Sequence, residues 1–207
     1  MPSIESRLRD VFAEIDAVNA QDPGRVLVDG APAPANLVYG RRMSAELDAY
    51  RPDAPDELRI AARGQHIERW IIPRSAYPMD RAGYHAWRNA LRDHHATRLA
   101  EILSRGGYDD AFIKRVQAIV RKERLRADPD VQTLEDVICL VFLKFEIDAF
   151  AAKLHGDETR LGDILAKTWR KMSARGQETA LAIPPAPHVA RLLEAGLARM
   201  AANQPGR

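Results

Sequence analysis

The chain is 207 residues long, 46% hydrophobic and 29% charged, with a formal net charge of +2. That composition excludes wholesale disorder, and a chain of this size buries about 70% of its unfolded surface without needing disulfides or a structural metal. The lone Cys139 excludes an internal disulfide and a cysteine-based zinc site, and no apolar run approaches the ~20 residues of a membrane span. Met1-Pro2-Ser3-Ile4-Glu5 also lacks the basic-then-apolar order of a signal peptide, so the expectation is a cytoplasmic chain without membrane contact.

The periodicity is helical almost throughout. Ser3 caps a first helix carrying Leu8, Phe12, Ile15 and Val18, which stops near Asp22-Pro23-Gly24. Residues 23–36, with two glycines and three prolines, read as a loop in which Val26-Leu27-Val28 has only weak strand character. A second helix spans Leu37 to Tyr50. The segment from Pro52 to Glu57 carries helix-start residues and opens a third helix to about Ile72. Pro73 and Pro78 bracket a tight connection, and Asp80 starts a long helix that stops at Gly106-Gly107.

Asp109 caps the next helix, which runs to about Leu125, and Asp128-Pro129-Asp130 breaks the chain. The run from Thr133 to Leu154 is apolar on every face around residues 137–143, as expected of a central helix. Two more helices follow Gly156, at about 158–174 and 187–202, joined by Pro184-Pro185-Ala186-Pro187. Asn203 to Arg207 read as a frayed tail. The fold class is all-α: a single domain of about eight helices, with a core at about 37–155, a helical extension at 157–202 and no convincing strand.

The +2 conceals an uneven distribution. Between Arg59 and Arg98 stand eight arginines against Glu68, Asp80 and Asp93, a local net of +5 that leaves −3 for the remainder. The same segment holds four of the six histidines, two of the three tryptophans, Tyr77 and Tyr84. Guanidinium forks bind phosphate or carboxylate bidentately, so this block suits an anionic ligand. Solvated helix surface is the competing explanation, because arginine far outnumbers lysine along the whole chain.

Three side chains on separate helices form the candidate catalytic set. His66 shares a stripe with Ala62 and Trp70; His95 follows Tyr84, Arg88 and Leu91 and precedes Leu99 and Ile102; Asp136 stands with Gln132, Leu140 and Leu143. His94 falls closer to the rim. Inward imidazoles and a carboxylate from different helices are how a bundle builds a metal or acid–base site. Each has a structural alternative: a hydrogen-bonded core histidine in the first two cases, and for Asp136 a helix-start arrangement with Thr133, beside Glu135.

The spacing of Gln65-His66, Asp93-His94-His95 and Glu135-Asp136 resembles the HD phosphohydrolase superfamily of helical metalloenzymes. That resemblance implies one divalent metal ion held by His66, His95 and Asp136, with Glu135 in the catalytic set. It departs at the His-Asp pair, since Ala96 follows His95. Lys171-Met172-Ser173 matches a three-residue synthetase signature, but no Rossmann strands accompany it, so an aminoacyl-tRNA synthetase is excluded. Neither a phosphate-binding glycine loop nor a Gly-x-Ser-x-Gly elbow occurs. Cys139, inside an apolar run, reads as a buried inert thiol.

A closer resemblance covers nearly the whole chain. Leu37-Val38-Tyr39-Gly40-Arg41-Arg42-Met43-Ser44, Gln65-His66-Ile67-Glu68-Arg69-Trp70, Ile72-Pro73-Arg74, Tyr77-Pro78, Gly83-Tyr84, Trp87-Arg88, Leu134-Glu135-Asp136-Val137 and Thr168-Trp169-Arg170-Lys171-Met172-Ser173 are similar to the family known as domain of unknown function 4202. It implies no established activity. Two functions follow as expectations. One is a hydrolase acting on a small phosphorylated or carboxylated substrate, with Arg63, Arg69, Arg74 and Arg88 fixing the anion and Tyr84 and Trp87 as an apolar wall. The alternative is a non-catalytic anion-binding or protein-interaction module. Nucleic acid is disfavoured at net +2 without a recognised module, and oligomeric state stays open.

Overall fold

Helix starts are where free backbone amides need acceptors, and aspartate and serine supply them here. Asp80 accepts from Gly83 N at 2.7 Å, Asp109 from Phe112 N at 2.8 Å, Asp157 from Arg160 N at 3.0 Å and Ser173 from Gly176 N at 3.0 Å. These caps open α4 (Arg81–Arg105), α5 (Asp110–Arg121), α8 (Glu158–Lys171) and α9 (Ala174–Leu181). The computed structural model describes residues 4–154, 156–183 and 187–202. The expected cap at Ser3, the proline turn at 184–186 and the tail at 203–207 lie outside those residues. The remaining helices are α1 (Ile4–Asn19), α2 (Ala35–Tyr50), α3 (Asp56–Gly64), α6 (Pro129–Val141), α7 (Ile147–Lys153) and α10 (Pro187–Ala202). The fold is all-α, with ten helices among the described residues rather than about eight.

Several boundaries differ from the sequence reading, each for a local reason. Residues 25–34 form a hairpin, β1 (Arg25–Val28) antiparallel to β2 (Ala31–Pro34), with Val28 opposite Ala31. Asp29 and Gly30 both take positive φ, 51° and 80°, as a two-residue hairpin turn that matches strand twist requires. Helix α3 stops at Gly64, not Ile72, because Glu68 adopts φ 53°, ψ 31°, which no right-handed helix passes through. Helix α6 begins at Pro129, where Asp128 Oδ1 accepts from Asp130 N and Val131 N at 3.0 and 3.3 Å. Thr133 is therefore an interior residue, its hydroxyl donating to Pro129 O at 2.8 Å, and not a helix start. The run expected as one helix to Leu154 is interrupted at 142–146 by a π turn, with Ile147 N bonding Phe142 O. Met172, at φ −71°, ψ 148°, separates α8 from α9, a break the sequence reading did not place.

The chain folds as two compact units, Met1–Leu134 and Glu135–Arg207. In the first, α3 packs on α1, α2 and α5, and α4 on α5 and α1. Leu58, Ile60, Ala61 and Ala62 of α3 have no exposed surface, so this short helix is buried on most of its sides. Such burial requires close neighbours without bulk. A Cβ on Gly40 of α2 would lie 2.7 Å from the Arg63 carbonyl oxygen, and one on Gly64 would lie 2.5 Å from Leu99 Cδ2. Arg63 also holds α3 to α1 through a bidentate pair with Asp16, at 2.8 and 2.7 Å.

The second unit builds its core from Ile147, Leu161, Leu165 and Val189, with Phe142, Phe150 and Leu192 against it. Its helices α8 and α10 meet where an added Cβ on Gly196 would stand 2.1 Å from Gly162 O. Cys139 is buried, its thiol 3.8 Å from Thr168 O. Among the described residues no helix is long and apolar enough to cross a membrane. Gly40→Ala should cost about 1–3 kcal/mol in denaturant unfolding, because backbone and not a flexible side chain must give way. On the same helix, Ser44→Ala removes a buried hydroxyl with no hydrogen-bond partner among the described residues, and should leave stability unchanged or raised.

Candidate functional site

Beyond Gly64 the backbone tightens into successive turns: Ile67 N bonds Gly64 O at 2.9 Å and Arg69 N bonds His66 O at 3.2 Å. A left-handed residue other than glycine costs on the order of 1 kcal/mol or more, so Glu68 needs compensation. Its amide donates to Asn19 Oδ1 at 3.2 Å, and its carboxylate accepts from Arg98 Nε at 2.6 Å. His94 Nε2 lies 3.3 Å from the same carboxylate, on the rim side of α4. His66 thus belongs to a turn and not to a helical stripe with Ala62 and Trp70. Its ring stacks on Tyr39 at 4.1 Å and 19°, and Tyr39 OH accepts a bond from Gln65 Nε2.

His95 faces inward, as its spacing predicts, in a stripe with Leu91, Leu99 and Ile102, and is 2% exposed. Its Nδ1–H donates to the Ile67 carbonyl at 2.6 Å. A carbonyl can only accept, so Nδ1 carries the proton and a neutral His95 presents a bare Nε2 lone pair. That Nε2 is buried and has no hydrogen-bond partner among the described residues. The His66 and His95 rings lie 6.0 Å apart, tilted at 47°. Arg69 donates towards His66 Nε2 at 3.4 Å, which makes this nitrogen an acceptor as well.

Both imidazoles stay neutral at physiological pH. Burial lowers the pKa of His95 from 6.5 to about 3, with Arg69 and His94 adding to the effect against the opposing bond to Ile67. Burial likewise holds His66 well below 6.5, reinforced by Arg69, His95, Lys122 and Arg88. The two rings border a cleft of about 30 Å³ whose other polar lining residues are Gln65, Arg69, Arg88, Arg92 and Lys122. None of its described lining residues is acidic. The cations arrive from three places: Arg69 from the turn, Arg88 and Arg92 from successive turns of α4, and Lys122 from the C-cap of α5 at φ 61°.

The residues singled out from sequence divide accordingly. His66, His95, Arg69 and Arg88 come together at the cleft. Arg63 is committed to Asp16, and Arg74 braces the turn before α4 by donating to Tyr77 O at 3.0 Å and Asp80 O at 3.3 Å. Trp87 donates Nε1–H to Ile72 O at 2.9 Å and carries the Arg69 guanidinium 4.8 Å over its ring. Tyr84 is 41% exposed, its hydroxyl 3.2 Å from Arg88. Gln65, Arg92 and Lys122 were missed. Arg92 sits one turn after Arg88 and was legible as its neighbour, whereas Lys122 was hidden by running the preceding helix on to Leu125.

Asp136 belongs to the second unit. Its carboxylate accepts from Ser173 N at 2.8 Å and Ser173 Oγ at 2.5 Å, and Gly176 gives it room, since a Cβ there would lie 2.7 Å from Asp136 Cγ. It thereby holds the start of α9. Glu135, its neighbour, lies 3.7 Å from Lys171 Nζ. Among the described residues no three His, Cys, Asp or Glu side chains are grouped to hold a metal ion.

The family model described as a domain of unknown function (DUF4202) matches residues 9–193. The chain belongs to that family. No curated protein and no solved structure matches it. The DUF4202 match runs through both units and contains the turn, the cleft and the Asp136–Ser173 contact.

In this DUF4202 chain the depressed histidines set a pH dependence. A histidine whose folded pKa lies below its unfolded value of 6.5 stabilises the fold fully above 6.5, and that contribution is lost as pH falls towards 3. Denaturant unfolding measured from pH 7 to pH 4 should therefore show falling stability. His95 contributes up to about 1.4 kcal/mol per pH unit, and His95→Asn should flatten the slope by that amount.

Proposed function

We propose that this protein binds a small oxyanion, a phosphate or carboxylate group, in the cleft between the 65–69 turn and α4. The convergence of Arg69, Arg88, Arg92 and Lys122 on one small cleft with no acidic lining residue carries this reading. An anion in the cleft meets cationic side chains from three elements and forms charge-assisted hydrogen bonds with them. The neutral state of both histidines belongs to the same picture, because two further positive charges at this spot are what burial and the arginines prevent. A cleft of about 30 Å³ suits one compact group and not a nucleic-acid strand.

The hydrolase implied by the resemblance to HD phosphohydrolases is the second reading, favoured by the 6.0 Å pairing of His66 with His95. Its metal requirement fits these residues poorly. The cleft offers imidazole nitrogens without a carboxylate, beside four cations that repel a divalent ion, while the Asp136 carboxylate is taken up by Ser173. A histidine with a pKa of about 3 is also a weak general base near pH 7. The binding reading is the better supported.

Thermal unfolding with inorganic phosphate tests it, alongside Mn²⁺ and Zn²⁺. Phosphate should raise the melting temperature with concentration, since a ligand at about 100 times its Kd adds about 2.7 kcal/mol. Arg88→Ala should weaken the shift at least tenfold in apparent affinity, and Arg74→Ala should preserve it. No response to phosphate together with a clear response to either metal would overturn the binding reading in favour of the hydrolase.

A further inference from the structure

The cleft is not made of donors alone. Arg69, Arg88, Arg92 and Lys122 only donate, yet His95 presents the opposite need. Its Nδ1–H is spent on the Ile67 carbonyl, so Nε2 can only accept, and this nitrogen has no partner among the described residues although the side chain is 2% exposed. A buried polar atom without a partner costs the full desolvation of that group. His95 is among the residues lining the cleft, which makes a ligand held there the candidate source of the missing donor.

We propose that the site selects an oxyanion carrying its own acidic O–H, such as hydrogen phosphate, over an oxyanion made only of acceptors, such as sulfate, with His95 Nε2 as the discriminating acceptor. This rests on the anion-binding reading above and narrows it. Hydrogen phosphate and sulfate share size, tetrahedral shape and a charge of about −2 near pH 8, so four cationic side chains treat them alike. They differ in one hydrogen. Phosphate donates it to Nε2, whereas sulfate opposes the lone pair with another lone pair. A site built to satisfy a ligand O–H rejects the analogue lacking it, because its own buried group is then left unpaired.

Isothermal titration of the full chain at pH 8 with inorganic phosphate and with sulfate is the direct test. Phosphate should bind about ten- to a hundredfold tighter. His95→Asn should bring the two affinities within about twofold, since an asparagine amide can still donate to Ile67 O while Nε2 is gone. Circular dichroism establishes that the variant is folded. Should it fail to fold, the wild-type ratio alone decides. Equal binding of both anions, or a preference for sulfate, would overturn the selectivity and leave anion binding intact. Binding of neither would instead remove the anion-binding reading on which the proposal stands.

Discussion

The site depends on one buried hydrogen bond, from His95 Nδ1–H to the carbonyl of Ile67 at 2.6 Å. It joins α4 to the turn that follows α3, and it decides which imidazole nitrogen keeps its lone pair. The Ile67 carbonyl is available because the chain leaves helical geometry at once: Glu68 is left-handed, so no ladder continues past it. That conformation is held from two directions, by Asn19 on the Glu68 amide and by Arg98 on its carboxylate. The string Gln65-His66-Ile67-Glu68 therefore divides its work. Gln65 orients Tyr39, His66 stacks on that ring, Ile67 lends a carbonyl and Glu68 turns the chain.

Charge follows from the same geometry. Each imidazole faces two penalties on protonation, lost hydration and then repulsion, from Arg69 in both cases and from Lys122 and Arg88 as well for His66. The consequence is a cleft lined by cations from several elements beside a histidine whose tautomer Ile67 sets. Exposed arginines cannot hold such a pattern, because long side chains in water sample many geometries for little gain. Arg63, Arg74 and Arg98 illustrate a different use of the basic segment. Each is taken up by a structural acceptor, so part of the +5 block is scaffold.

Much of this was legible in the residues. The inward stripe of Leu91, His95, Leu99 and Ile102 gave the direction of His95 correctly, and the aspartate caps at 80 and 109 placed α4 and α5. The prolines of residues 23–36 point to a loop and the weak strand character of Val26-Leu27-Val28 does not offset them, yet Asp29-Gly30 is a hairpin-turn pair that closes β1 on β2. The stripe through Ala62, His66 and Trp70 failed because period alone cannot register a left-handed Glu68, which tertiary bonds to Asn19 and Arg98 support. The contact of Asp136 with Ser173, 37 residues away, is likewise invisible to local pattern. Lys122 enters the cleft only because α5 stops at Arg121.

The family is established by a match across residues 9–193, and the functional weight within it rests on the tautomer of His95. Long-range proton–nitrogen NMR correlation of the ¹⁵N-labelled imidazoles at pH 7 reads that tautomer directly. The expected result for His95 is a protonated Nδ1 and a bare Nε2, with a pattern that does not change down to pH 5. A protonated Nε2, or an imidazolium at pH 7, would contradict it.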